Sequence, residues 1–513
     1  MSDISSNNRR IAKNTLMLYI RMFITMTVSL YTSRVVINTL GVTDYGIYGV
    51  IGGVVTMFTF MSGAMSASTQ RYISFNIGKK DFENLENVFR TAFQIHVIVA
   101  ILIIVLGETV GLWFINTQLV IPLERINAAL YVYQFSVLSC AVTIICLPFI
   151  AVIIAHEHMN TFAYLSMLDV ILKLLIVYIL TIIPFDKLSF YAFLLLCITL
   201  FDQALYAIYC KRNFREINFH KSFDVNLLKE MSGLAGWSLW GSIAHMLYTQ
   251  GLNVLLNIFF GPVVNAARSI AVSVQGVVQG FAANIQTAMN PQITKSYAVG
   301  DIQRMHQLMI ASSKFCYFLL LLIILPIFFE AEIVLTTWLG VVPDHAIWFL
   351  RLILLVMLIE SLVNPYMIAN QATGKVKRYQ AVCGGLLLTI VPVAYLLLKL
   401  GASPESVFVV QFLISFFTQF VRVYMMQSLI NFSMEKYIKR VIIPITGVTL
   451  LSLIFPLLLY LNLQNDILSF VLVCICCFCS TSFFTFMVGL SRDERYFVLS
   501  KTKQLVLRII CNR

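Results

Sequence analysis

The chain has 513 residues, of which 59% are hydrophobic and 12% charged, with a formal net charge of +12. A soluble globular domain has roughly 45–50% apolar and 25% charged residues, so this composition excludes a water-soluble fold and makes the bilayer the solvent. The positive balance fits loop charges facing an anionic leaflet better than a nucleic-acid footprint.

Residues Met1 to Lys13 are polar and basic. The apolar segment after them is too long for a signal-peptide core and lacks a small-residue cleavage site, so it is expected to remain as the first span. Apolar segments then recur at 14–38, 44–70, 89–112, 128–154, 162–183, 189–210, 235–259, 262–289, 310–329, 346–369, 380–398, 404–429, 441–461 and 467–490. About 20 apolar residues cross the hydrocarbon as a helix. Unbroken runs such as Leu319 to Ile327 exclude transmembrane strands, which would alternate. The fold expected is an all-α polytopic membrane protein of about 14 transmembrane helices, with loops too short for a separate soluble domain.

Cys140, Cys146, Cys197 and Cys383 lie inside spans and read as packing residues. Cys474, Cys476, Cys477 and Cys479 wrap around a helix instead of converging, so no metal site and no cofactor are expected. Lys and Arg alternate between loops: Lys79, Lys80 and Arg90, Lys211 to Lys229, Lys295 and Arg304, Lys375 to Arg378, and Lys436 to Arg440 share one side. The opposite loops offer little beyond Arg125, Lys187 and Lys399. This asymmetry predicts both termini in the cytoplasm. The turn His156-Glu157-His158 alone on that side lacks Lys and Arg, and reads as a solvated turn.

Sliding the chain by 220 residues sets Leu40-Gly41 on Phe260-Gly261 and Lys80-Asp81-Phe82 on Gly300-Asp301-Ile302. A shift of 217 sets Pro148-Phe149 on Pro365-Tyr366 and Ala155 on Ala372. Six helices are thus repeated in the same orientation, an architecture in which substrate binds between halves related by an axis along the membrane normal. The expected organisation is an N-terminal lobe at 1–215 and a linker at 216–234, in which Leu227, Leu228 and Met231 suggest a short interfacial helix. A C-terminal lobe at 235–438, two extra helices at 439–490 and a basic tail at 491–513 follow. Gly276 with Gly280, and Gly49 with Gly53, have the GxxxG spacing of close helix approach. Pro148, Pro326 and Pro365 are candidate bending points.

Leu40-Gly41 with Asp44-Tyr45-Gly46, Gly52-Gly53, Gln70-Arg71-Tyr72 with Gly78-Lys79-Lys80-Asp81, Asn290-Pro291 with Gly300-Asp301, and Asn364-Pro365 with Ala372-Thr373-Gly374-Lys375 carry a resemblance. Over essentially its whole length the chain resembles the multidrug/oligosaccharidyl-lipid/polysaccharide (MOP) exporter superfamily, in its polysaccharide (Wzx-type, O-antigen) flippase branch. The resemblance implies two six-helix lobes around a central cavity and alternating access. It further implies, in a bacterial cytoplasmic membrane, a cargo of polyprenyl-pyrophosphate-linked oligosaccharide, with membrane lipids and polysaccharide polymerase machinery as partners.

Charges inside spans are costly and invite functional readings. Arg21 is the leading phosphate ligand, lying well inside the first span, where snorkelling to the interface is a long reach. Arg34, Arg268 and Arg351 sit near outer ends, where snorkelling competes with binding. His245 and Gln250 in the seventh span are candidates for sugar hydroxyls, or for hydrogen bonds between helices. Asp169 and Lys173 are spaced to pair. With Asp202 they form a candidate ion-coupling cluster for a proton or sodium gradient, and Glu360 is a further candidate, paired with Arg422 or facing water. Two other functions stay open: an ion-coupled multidrug or metabolite exporter, for which acidic and aromatic linings are expected, and a membrane-embedded polysaccharide polymerase or ligase. The latter needs catalytic residues gathered on a sizeable outer loop, and no such set is evident, so a non-enzymatic transporter is the expectation.

Overall fold

The computed structural model describes residues 2–40, 42–118, 123–182, 186–217, 224–339, 342–462, 467–492 and 494–495. Its secondary structure there is entirely helical. The first helices are α1 (Ser2–Leu40), α2 (Val42–Lys79), α3 (Phe82–Leu106), α4 (Leu112–Gln118), α5 (Ile126–Ala155), α6 (Met159–Ile182) and α7 (Lys187–Asn213). There follow α8 (Val225–Phe260), α9 (Pro262–Ala298), α10 (Ile302–Phe329), α11 (Ala331–Leu339), α12 (Ala346–Glu360) and α13 (Asn364–Thr373). The last are α14 (Val376–Leu388), α15 (Ile390–Lys399), α16 (Ser406–Ile430), α17 (Met434–Tyr437), α18 (Ile443–Asn462) and α19 (Ile467–Phe484).

Among the described residues, 11 helical segments are long and apolar enough to cross a membrane, which makes this a multi-pass membrane protein. Helices α1, α2 and α9, of 39, 38 and 37 residues, coincide with the first, second and eighth spans expected from sequence. At 1.5 Å per residue each is longer than about 50 Å, so each extends well beyond a hydrocarbon core of about 30 Å. Residues 225–234, expected as a separate interfacial helix, run unbroken into α8.

Two spans are interrupted at proline. Pro365 is the second residue of α13, which begins after a three-residue break from α12, and Pro392 follows the α14–α15 break at Thr389. A proline has no N–H for the carbonyl four residues back and its ring crowds that carbonyl. Pro148 and Pro326 lie inside continuous helices instead. A Cβ at Gly276 would meet nothing within 4 Å, so that glycine makes no close helix contact here.

The repeat is visible in the backbone. Lys80 at φ 58° receives the helix end by Lys80 N–H to Ile77 O, 3.1 Å, and Asp81 N–H to Asn76 O, 3.1 Å. Shifted by 220, Gly300 at φ 77° repeats this with Gly300 N–H to Tyr297 O and Asp301 N–H to Ser296 O, both 3.0 Å. Shifted by 217, Glu157 at φ 63° donates to Ile154 O at 2.9 Å, as Gly374 at φ 75° does to Gln371 O at 3.0 Å. These are left-handed helix caps, a conformation that suits glycine.

By packing, the chain divides into two units. The first comprises Met1–Ile243, Thr287–Asp301 and Gln371–Ala381. Its core gathers Tyr72, Phe89, Phe149, Val152 and Val376 in one cluster and Ile51, Val132, Tyr133 and Ile144 in another. The turn expected to be solvated belongs to it: Glu157 is 5% exposed, and His156 Nε2 lies 2.5 Å from Glu216. A buried carboxylate needs partners, and those partners come from residues more than 130 positions away. The second unit comprises Ala244–Gln286, Ile302–Asn370 and Val382–Arg513. There α18 and α19 pack on α10, where Lys314 Nζ holds Glu494 at 2.7 Å.

The caps generate a prediction. A non-glycine residue in the left-handed region costs roughly 1–2 kcal/mol, partly offset by the greater unfolded-state freedom of glycine. Lys80→Gly should raise stability by up to about 1 kcal/mol and Gly300→Lys should lower it, as read by thermal unfolding in detergent.

Candidate functional site

A cavity of about 260 Å³ lies within the second unit. Its polar lining comes from His245 and Tyr248 on α8, Gln279 and Gln286 on α9, Glu360, Ser361 and Asn364 at the α12–α13 break, and Ser415 and Arg422 on α16. The break explains the polarity. Pro365 leaves the Ser361 carbonyl without its helical donor, while Gln419 Nε2 donates to Leu362 O at 3.2 Å. Non-helical backbone at membrane depth is tolerated where it is buried in protein or lines a cavity, and this one does the latter.

Tyr248, 1% exposed, donates its hydroxyl to Glu360 Oε1 at 3.2 Å, and the His245 ring packs edge-on to it at 5.0 Å. Arg422 is 8% exposed, and its Nε has no hydrogen-bond partner. Among the described ion pairs none joins Arg422 to Glu360, so the pairing expected for them is not formed. The Asn364 Oδ1 and Ser415 Oγ are likewise buried and unpartnered. Buried polar atoms without partners are costly. The cavity therefore offers unmet donors and acceptors together, the chemistry that binds a hydroxyl- or amide-rich ligand.

The residues singled out from sequence are dispersed. His245 and Glu360 line the cavity; Gln250 is exposed outside it. Arg268 donates Nη2 to Thr249 O at 2.9 Å, bracing α9 against α8. Arg351 is also structural: Nε and Nη2 reach Phe328 O at 3.0 Å and Phe329 O at 3.3 Å, satisfying end carbonyls of α10, with the guanidinium near the Trp348 ring at 5.3 Å. The Arg34 side chain lies outside the described residues.

In the first unit the half-buried Arg21 stacks on Phe162 at 4.8 Å, and its Nε is unpartnered. Lys173 Nζ pairs with Asp169 at 2.8 Å, and Asp202, 7% exposed, is in hydrogen-bonding reach of Asp169. Tyr206 adjoins both Asp202 and Arg21. The three-residue cluster is thus assembled, with Arg21 at its margin.

In the sequence Arg422 reads as an intramembrane charge able to pair with Glu360 and Asn364 as part of a motif, while Gln279, Gln286 and Ser415 do not stand out. A signal existed: Gln279 and Gln286, like Ser415 and Arg422, are seven residues apart, which places each pair on one helix face.

No family model and no curated protein sequence matches the chain. Solved structures do. A multidrug resistance MATE family transporter of the MOP superfamily, in an outward-facing conformation, aligns with a TM-score of 0.70 and 15% identity over 82% of this chain and 96% of its own. A MOP superfamily transporter from Pyrococcus furiosus, described as having a binding pocket of reverse polarity, aligns at 0.69 and 15% with the same coverage. A MATE protein in a bent conformation aligns at 0.71 and 14%, over 83% and 96%. The chain has the fold of these transporters.

Arg351→Leu should lower thermal stability by about 1–3 kcal/mol by stranding two helix-end carbonyls. Arg351→Lys should restore only part of it, because an ammonium cannot reach both with a planar fork. Both changes are read by unfolding of the purified protein.

Proposed function

We propose that this chain is a transporter of the MOP type, seated in a bacterial inner membrane with cytoplasmic termini, that flips a polyprenyl-pyrophosphate-linked oligosaccharide. The observation that carries the reading is the cavity of the second unit. Its amides, its hydroxyls and the Arg422 guanidinium, whose Nε has no partner, suit a hydroxyl-rich, anionic cargo. The motif resemblance to polysaccharide flippases supports the same cargo.

Multidrug export is the second reading. The solved multidrug resistance transporter shares the fold, and Glu360 beside Tyr248 and His245 would also receive an organic cation. A polymerase or ligase draws no support from the similar folds, which are described as transporters. In this proposal Asp169, Lys173 and Asp202 couple transport to an ion gradient: a proton or sodium ion arriving at the carboxylates would displace Lys173 from Asp169.

Depleting the protein and locating its lipid-linked sugar separates these readings. Accumulation at the cytoplasmic face is expected for the flippase. An unchanged distribution with loss of drug resistance would reject it in favour of drug export. Arg422→Gln should lower export at least about tenfold at unchanged abundance, as expected when the buried charge that meets the cargo is lost. Asp202→Asn should abolish the response of transport to an imposed ion gradient, measured in proteoliposomes.

A further inference from the structure

Within the first unit, two segments that belong by sequence to the second repeat, Thr287–Asp301 and Gln371–Ala381, are packed among helices of the first repeat. The contacts that hold them there are polar and specific. The Glu157 carboxylate, 1% exposed, accepts from Lys295 Nζ at 2.7 Å and Gln292 Nε2 at 2.6 Å. The Arg71 guanidinium, resting over the rings of Tyr72 and Phe75 at 4.5 and 4.9 Å, donates Nε to Gln371 O and Nη2 to Ala372 O, both at 2.9 Å.

These two grips are the same grip made twice. Under the 220-residue shift, Gln292 and Lys295 correspond to positions 72 and 75, on the helix that carries Arg71. Under the 217-residue shift, Glu157 corresponds to Gly374, the cap beside the carbonyls that Arg71 holds. The end of α2 therefore seizes the cap after α13, and the end of α9 seizes the cap after α5. A Cβ on Gly78 would lie 2.8 Å from the Ala298 Cβ, and these positions are themselves 220 apart. A residue touches its own repeat equivalent only at the axis relating the repeats. The chemistry differs in a complementary way. Where the cap is Glu157, it supplies the charge; where it is Gly374, Arg71 approaches the bare backbone to 3.0 Å of where a Cβ would stand.

Glu157 is held at φ 63°, in a region its equivalent fills with glycine. A strained, buried carboxylate kept in place of glycine marks a position selected for its side chain. We infer that the four helix ends form a releasable clasp on the side that loop charge reads as cytoplasmic, and that both grips part together whenever the chain exposes cargo to that side. The opening half of this inference rests on the transporter reading; the coupling of the two grips does not.

Hydrogen–deuterium exchange of the full chain in nanodiscs tests the coupling. Glu157→Gly removes the carboxylate while relieving the backbone at that position, and unchanged exchange in α18 and α19 reports that the variant is folded. Exchange should rise about tenfold or more not only at residues 287–301, where Gln292 and Lys295 meet Glu157, but also at 371–377, where Arg71 holds the chain, with α18 and α19 unchanged. A rise confined to the neighbours of residue 157 would overturn the clasp. Gly78→Leu tests the opening, because its Cβ would stand 2.8 Å from the Ala298 Cβ and 3.0 Å from the Lys295 carbonyl oxygen and so props the helix ends apart. Transport should fall at least about tenfold at unchanged abundance, with exchange raised at 287–301 and 371–377. Undiminished transport in a variant with raised exchange at both segments would overturn the opening. Concerted loosening in a chain that moves no tested cargo would leave the clasp standing and reject the transporter reading instead.

Discussion

In hydrocarbon an unsatisfied peptide N–H or C=O costs several kcal/mol, and that constraint governs every element of this chain. It makes each described element a helix. It also dictates where helices end and break. The α12–α13 interruption opens onto the polar cavity and has Gln419 donating to a freed carbonyl. Arg351 satisfies the end of α10, and the Tyr133 hydroxyl reaches Gly107 O at 2.7 Å where α3 passes through a wider turn. Polar side chains within the membrane-spanning region are thus first employed in completing the backbone, and only the remainder are free for a ligand.

The internal repeat shows which features of a duplicated helix bundle are set by the backbone and which by side chains. The caps at Lys80 and Gly300, and at Glu157 and Gly374, keep the same dihedral region and the same hydrogen bonds, because a helix that must reverse within a few residues has few ways to do so. The residue filling that conformation has diverged in each pair. Divergence at Glu157 converts a passive turn into an ion-pair partner for Lys295. A conserved backbone with altered chemistry is how two copies of one unit come to hold each other by unlike contacts.

Much of the fold was legible because hydropathy and residue spacing are local properties. The positions of eleven apolar spans, the all-helical class and the duplicated turns followed from them, and so did the Asp169–Lys173 pair, one turn apart on a single helix. Depth along a helix is readable from sequence; the neighbour a side chain meets is not. Arg21, Arg268 and Arg351 were all recognised as costly charges, yet one stacks on Phe162 and two bind backbone carbonyls. Glu157 was misread as solvated because its partners lie 135 and 138 residues away. The cavity lining is less legible, because a single Gln or Ser in a span is unremarkable and only the seven-residue spacing of Gln279 with Gln286 and of Ser415 with Arg422 sets them on common faces.

The two units dispose of their intramembrane charges in opposite ways, and this difference bears on where cargo and coupling ion would be handled. In the first unit Lys173 is spent on Asp169, Asp202 is drawn to the same carboxyl, and Tyr206 links the group to Arg21. Such a network is formally balanced, so a large anion entering it would have to displace an existing partner, whereas a small cation has only Lys173 to replace. In the second unit Glu360 is engaged by Tyr248, Arg422 adjoins Cys383 with its Nε left without a partner, and the space near them is a cavity. A guanidinium buried without a carboxylate keeps the desolvation cost that an ion pair would have offset. Arg422 Nε and Arg21 Nε are both buried without a partner, but Arg422 borders a cavity whereas the Arg21 guanidinium lies over the Phe162 ring beside Tyr206, so the two charges differ in the space before them.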